Sequence, residues 1–512
     1  MKTKLLSILC CLPILTWARG NTTYKQVETL YSNAEWLCIN RVEMNDTATI
    51  VDITASGKIN GDFQLSKNIH LCGENGKTYN IKKVENVVLE DKNYIGRDGT
   101  HSFSLYFEPL TKDTKAFDLL EGWADNEIRI LGIHNKKKGL KFLNVKDGIN
   151  YNEVSSDKFI KGIVHIKGKI ENYSSDNKNE KLVFHNSKYE GLISNQCYYK
   201  FNRTDIEISS DGKFNADISL DHPLWTKLVL EKSKKNIPVY VRPGDTLEIT
   251  IRDCENENFN VQYASGNPMG CYENLMKHSN VPIIYAQWNK LTNFGQNLDD
   301  EHFVSGIREC TEKNMQLCDY FAWKYKLTPW ETHLLKNRQL LLLTEQHLFI
   351  ASKSVQEKFT IPQGREPQKE DYTGYNFSIY KIMDLLPHND PSLCYILNNT
   401  NFPRSIDLIY PIGLAKTYAF FNNPNNKVDQ YKEETKIQIE TLQDLMGTEK
   451  SSNWIIESYL AYKITQLPTS LNTNERNEIV DFLSSSLTIP YYKNKLQELF
   501  IWSMKKTNNP IS

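Results

Sequence analysis

The chain is 512 residues long, with 61 basic and 62 acidic side chains and a formal net charge of -1. That balance supplies no long-range positive field and argues against a nucleic-acid partner, because neutralising phosphates requires a basic face. At 512 residues and 40% hydrophobic side chains the chain exceeds what one core accommodates, which predicts about three folded domains.

Residues 1–20 read as a secretory leader. Lys2 and Lys4 precede an apolar run from Leu5 to Leu15, and small residues follow at Ala18 and Gly20, either of which suits cleavage. The run, of roughly 11 residues, falls short of the ~20 needed to cross a bilayer, and no later stretch approaches that length. Cys10 follows Leu9 in the middle of the run, where a lipidated cysteine is not expected. The expectation is an exported protein, periplasmic or associated with the outer membrane, and not an integral membrane protein.

Two β-sandwich-like modules are predicted next, at 21–145 and 159–265. In the first, Thr47 to Thr54 is a β-branched run, and Phe103, Leu105 and Phe107 alternate with polar neighbours. Gly73 to Gly76 and Asp98-Gly99 supply turns. Asn144 to Lys158 reads as a linker. In the second module Gly162 to Ile170 opens, Ser210 to Leu220 gives a turn and an alternating strand, and Ile237 to Ile251 reads as strand, Pro-Gly turn, strand. The polar stretch Glu171 to Lys181 is a loop within it. Many short strands with regular turns point to sandwiches.

From residue 270 to 512 the period becomes helical, so the predicted class is multi-domain α+β with an all-α C-terminal region. Thr328-Pro-Trp-Glu331 places a hydroxyl at N-cap, Pro at N1 and Glu at N3. Asp390-Pro391 and Asn472 to Glu475 offer two further starts, and Asp429 to Met446 ends on Gly447 as a helix does when glycine takes the C′ position. Residues 451–467 and 490–505 carry apolar stripes. Trp454, Tyr459 and Tyr462 are packing positions, not a cofactor box.

Of ten cysteines, cleavage removes Cys10 and Cys11 and leaves eight: Cys38, Cys72, Cys197, Cys254, Cys271, Cys310, Cys318 and Cys394. Spacing selects none of the 105 pairings open to eight thiols. Cys38 and Cys72 share one predicted module and form the candidate disulfide, the alternative being two buried thiols. Cys310 and Cys318 fall on one predicted helix ~12 Å apart along its axis, beyond disulfide reach.

No catalytic signature emerges. Elbow, phosphate-loop, zincin and dinucleotide motifs are absent, and no cofactor or metal is implied. His333 and His347 share no carboxylate pattern and read as helix residues, not metal ligands. Carboxylates such as Glu121 and Glu127 allow an acid/base pair that only a fold can assemble. Trp36, Trp123 and Trp225 read as sandwich core in preference to a sugar-stacking platform.

Several segments resemble a known family. Val42 to Ile50, Phe107-Glu-Pro-Leu110, Phe117 to Gly122 and Ile128 to Ile133 resemble the front β module of envelope TlpA-type, thioredoxin-like disulfide reductases of Bacteroidota. Gly168-Lys-Ile170, Asp211 to Phe214 and Tyr240 to Leu247 resemble the sandwich that follows in such proteins, and the helical region matches in style and place. The resemblance implies a further thioredoxin domain whose Cys-x-x-Cys performs exchange. This sequence contains no Cys-x-x-Cys and reaches Ser512 where that domain is expected to begin, so no family catalytic residue transfers. The expectation is a binding or accessory protein of the envelope, with a protein or glycan ligand and no catalytic site of its own. The enzyme alternatives are a thiol-exchange partner and a hydrolase whose site is assembled between domains.

Overall fold

The computed structural model describes residues 22–122, 127–140, 161–173, 180–185, 203–252, 259–264, 281–284, 300–358, 382–390, 427–448, 453–468 and 470–508. The expected leader at 1–20, the expected linker at 144–158, most of the expected loop at 171–181 and the helix expected from Pro391 lie outside them. The architecture is α+β, β-rich in front and helical behind. The chain divides into two compact units, Met1–Phe142 and Leu143–Ser512.

The first unit contains β1 (Thr22–Tyr24), β2 (Val27–Glu28), β3 (Tyr31–Ser32), β4 (Leu37–Met44), β5 (Thr49–Ser56), β6 (Asp62–Phe63), β7 (His70–Cys72), β8 (Thr78–Glu85), β9 (Asn93–Tyr94), β10 (Thr100–Phe107), β11 (Ala116–Leu120) and β12 (Arg129–Asn135). Asn45 makes the β4–β5 turn, its side-chain oxygen accepting the N–H groups of Thr47 and Ala48, each at 2.9 Å. Beyond it β5 alternates buried and half-buried residues as its β-branched run requires, and pairs along its length with β10. Phe103, Leu105 and Phe107 all face the core, with Ile53, Val51 and Thr49 respectively opposite them on β5.

The hydrogen-bonded path runs β1-β4-β5-β10-β8-β7-β11-β12-β2, with β3 also on β12. Its two end strands, β1 and β2, are separated in sequence only by Lys25 and Gln26. Two residues span about 7 Å, so the ends of the path meet and the sheet is rolled nearly closed. β8 makes the corner: Thr78 to Asn80 pair with β7, and Ile81 to Glu85 pair with β10. One strand thus serves two facing sheets.

A glycine bulge sits in the wall. Leu131 and Gly132 of β12 oppose Asp118 alone on β11, between the pairs Phe117–Ile133 and Leu119–Ile130. Gly132 adopts φ +65° and donates its N–H to the buried Asp118 carboxylate at 2.9 Å.

The second unit opens with eight strands: β13 (Gly162–Ile170), β14 (Leu182–His185), β15 (Arg203–Ile206), β16 (Lys213–Leu220), β17 (Leu224–Leu230), β18 (Lys235–Val241), β19 (Thr246–Arg252) and β20 (Asn260–Tyr263). They form two four-stranded sheets, β16-β13-β19-β20 and β15-β14-β17-β18. Each carries a buried apolar row: Val164, Ile166, Ile170, Ile218, Ile249 and Ile251 in one, Leu182, Phe184, Leu228, Ile237 and Val239 in the other. The expected Pro-Gly turn is present, with Gly244 at φ +89° and Arg242 bonded to the Asp245 carboxylate through Nε at 3.1 Å and a terminal nitrogen at 3.0 Å. It is not a hairpin turn, however: β18 pairs with β17, while β19 pairs in parallel with β13, so the turn carries the chain between sheets. Local apolar alternation is the same for either arrangement, which is why the pattern does not distinguish them.

Six helices follow among the described residues: α1 (Asp300–Tyr325), α2 (Pro329–Lys358), α3 (Lys427–Leu445), α4 (Trp454–Thr465), α5 (Thr473–Ser486) and α6 (Pro490–Asn508). The capping box at α2 forms as expected: Thr328 Oγ1 accepts the Glu331 N–H at 3.2 Å and Glu331 accepts the Thr328 N–H at 2.7 Å. Asn472 and Glu475 repeat it at α5, and Gly447, at φ +59°, ends α3. α4 is buried on nearly every side, including Trp454, Tyr459 and Tyr462. Its buried Glu457 accepts from Thr488 N and Oγ1 and from Ile489 N at 2.7–2.9 Å, setting a carboxylate against the N-terminus of α6. α6 in turn reaches the sandwich. Lys495 pairs with Asp221, and Tyr491 Oη lies 3.2 Å from His222 Nδ1, both partners lying in the turn between β16 and β17. No helix among the described residues is long and apolar enough to cross a membrane.

Candidate binding groove

Strand β13 buries Val164, Ile166 and Ile170 and therefore turns His165, Lys167 and Lys169 outward. Antiparallel pairing with β16 and parallel pairing with β19 set these side chains in rungs across the sheet: Asp217, His165 and Thr246; then Asn215, Lys167 and Glu248; then Lys213, Lys169 and Thr250. Glu171, just past β13, reaches Arg252. His165 lies 2.6 Å from Asp217, Lys167 2.9 Å from Glu248, and Arg252 2.7 Å from Glu171.

Along the Lys167 and Lys169 rungs the face is hollowed into a groove of about 710 Å³, whose polar lining is the side chains of both rungs together with Glu207 and Ser209. That volume falls within the roughly 300–1,000 Å³ of small-molecule sites. Gly168 lies beneath, where a Cβ would stand 2.1 Å from the Ile249 carbonyl oxygen and 2.5 Å from the Phe214 ring. A side chain there would push apart the strands that form the floor. At the rim, Lys213 is held by Asp211 at 2.6 Å in the turn before β16. The Lys213 ammonium, with the Ser209 hydroxyl, keeps the Asp211 carboxyl well below the usual carboxylate range.

The sulfur sites are dispersed. Cys38 is exposed on β4 and Cys72 is buried on β7, with β5, β10 and β8 between them, so the two are separate free thiols, and of the pair only Cys72 is buried. Neighbouring strands stand ~4.8 Å apart, and one sulfur is on the solvent side while the other is interior. Cys310 and Cys318 lie on α1, and burial pushes both thiols upward, away from the thiolate form that exchange requires. Cys197, Cys254, Cys271 and Cys394 fall outside the described residues.

The two histidines of α2 have separate roles. His333 Nε2 lies 2.5 Å from Asp390 Oδ2, an oxygen that also accepts from Asn337 at 2.8 Å, which ties the helix to the 382–390 segment. His347 is buried, its Nε2 without a hydrogen bond among the described residues, and desolvation pushes its pKa down to about 4. Because the unfolded value is ~6.5, the unfolded chain binds more protons between those limits, and folding loses stability as pH falls through the window. We expect about 2 kcal/mol of stability to be lost from this group between pH 7 and pH 5, measured as a shift in urea midpoint that His347→Phe abolishes. No group of three or more metal-binding side chains is found among the described residues.

Trp36 packs its ring 5.4 Å from Phe63 at the edge of the first core, as expected of a packing residue. Trp123 lies outside the described residues, and only the backbone of Trp225 is placed, in β17. The groove was not visible in the sequence. Alternation marks Lys167 and Lys169 as outward, but the partners that define the rungs come from strands about 45 and 80 residues away, and no local signal reports a parallel register. Compared with known proteins, the chain matches no family model and no curated protein.

Proposed function

We propose that the chain is an exported binding or accessory protein of the bacterial envelope that engages a ligand in the groove of its second β module. The groove carries this reading: about 710 Å³ of open space bordered by charged and amide side chains at fixed positions on paired strands. Side chains held by a sheet lose less freedom on binding than side chains on loops, which favours a recognition role. The leader at residues 1–20, and the resemblance of both β modules to the non-catalytic part of TlpA-type envelope proteins, support the compartment. Against the thiol-exchange alternative stands the burial of Cys310 and Cys318, which disfavours their thiolates.

The test is a binding screen of the full chain on immobilised glycans and peptides, run beside Asn215→Trp, which fills the groove from an outward position of β16. Ligands captured by the parent and lost by the variant are the expected result; identical profiles would remove the groove from consideration. Catalytic reduction of a disulfide substrate, lost on replacing any one cysteine, would instead establish the exchange reading.

A further inference from the structure

On the outward face of this sheet the basic side chains of and beside β13 are met by carboxylates almost rung by rung. Going along β13, His165 is hydrogen-bonded to the Asp217 carboxylate, Lys167 meets Glu248, and Glu171 beyond the strand meets Arg252. One rung breaks the rule: Lys169 stands directly opposite Lys213 on one side and neutral Thr250 on the other. Like charges directly opposite across two strands are destabilising, and Lys169 has no ion pair among the described residues. Lys213 spends its own charge on Asp211. The unmatched rung is one of the two that line the groove, the other being Lys167 with Asn215 and Glu248.

We propose that the missing counter-charge is supplied by the ligand, and that the groove takes an anionic saccharide whose carboxylate or sulfate sits on Lys169 between Lys167 and Lys213. The remaining lining favours a sugar over an acidic peptide. Glu207 and Glu248 offer carboxylate oxygens that accept from hydroxyl groups, and Asn215 and Thr250 can both donate and accept. A polyhydroxylated ring with one acidic substituent satisfies both sets, whereas a run of acidic side chains would be repelled by the two carboxylates. This inference rests on the reading of the groove as a binding site.

The test is calorimetric titration of the full chain with a panel of uronate-bearing and sulfated oligosaccharides, each paired with its carboxyl-reduced or desulfated counterpart, with oligoglutamate and inorganic sulfate as further arms. At least one acidic member is expected to bind, and its neutral counterpart to bind at least tenfold more weakly, as for loss of one charge-assisted hydrogen bond. Lys169→Met should lose the same factor and Lys169→Arg most of it regain. Preference for a neutral sugar that Asn215→Trp abolishes would overturn the anion assignment while leaving the groove as a site. Displacement by oligoglutamate would assign the groove to peptides, binding indifferent to Asn215→Trp would sink both readings, and binding by no member would overturn the proposal.

Discussion

Gly132→Ala is expected to destabilise the first unit by roughly 2–4 kcal/mol, the left-handed backbone costing about 1–2 and the steric conflict a comparable amount. Gly132 sits at φ +65° inside β12, and a Cβ there would stand 2.7 Å from two carbons of Leu30. Leu30 cannot simply retreat, because its N–H is bonded at 3.0 Å to the carbonyl of Leu131, the other residue of the bulge. Rebuilding the bulge would also forfeit the hydrogen bond from Gly132 to Asp118, leaving a buried carboxylate short of a donor. Gly139 provides the control: its φ is +58°, with nothing within 4 Å of a Cβ, so Gly139→Ala pays only the backbone term. Urea denaturation of the two variants separates the contributions. Equal losses would show that Leu30 yields and that the close approach carries no weight.

Lys495→Met should cost about 3 kcal/mol, the loss typical when one member of a buried ion pair is removed. The side chains of Lys495 and Asp221 are 6% and 11% exposed, so the aspartate would be left desolvated in the turn between β16 and β17. The replacement keeps the aliphatic bulk, which separates charge from packing. Asp221→Asn in the Lys495→Met background is expected to recover at least half of the loss, giving a coupling of about 1 kcal/mol or more in a double-mutant cycle. Strict additivity of the two substitutions would mean that Glu498, 3.1 Å from Lys495, is its main partner and that the contact with the sandwich is incidental. Because α6 is also seated on Glu457, the same variant should make the α4–α6 pair more open to limited proteolysis.

Local chemistry was legible in the sequence wherever it depends on a few adjacent residues. Thr328 with Glu331, Asn472 with Glu475, and Gly447 mark helix ends because capping needs particular atoms within one turn. Phe103, Leu105 and Phe107 gave β10 its inward face for the same reason. What escaped depends on distant partners. The split of β18 and β19 between sheets, the sharing of β8, and the rungs around Lys169 are all decided by pairing across tens of residues, where alternation is silent about which strand comes alongside. Cys38 and Cys72 show the same limit: membership of one module says nothing about the number of strands between them.

The rolling of the first sheet has a consequence for how this unit can be made. Val27 pairs with Asn135 and Thr22 with Met44, so the earliest segment bridges to the latest before the wall is complete. A chain delivered N-terminus first can pair β1 with β4 early but must hold β2 unpaired until more than a hundred further residues have emerged. Fragments stopping short of β12 would therefore expose an open seam with unpaired strand edges, a surface prone to self-association.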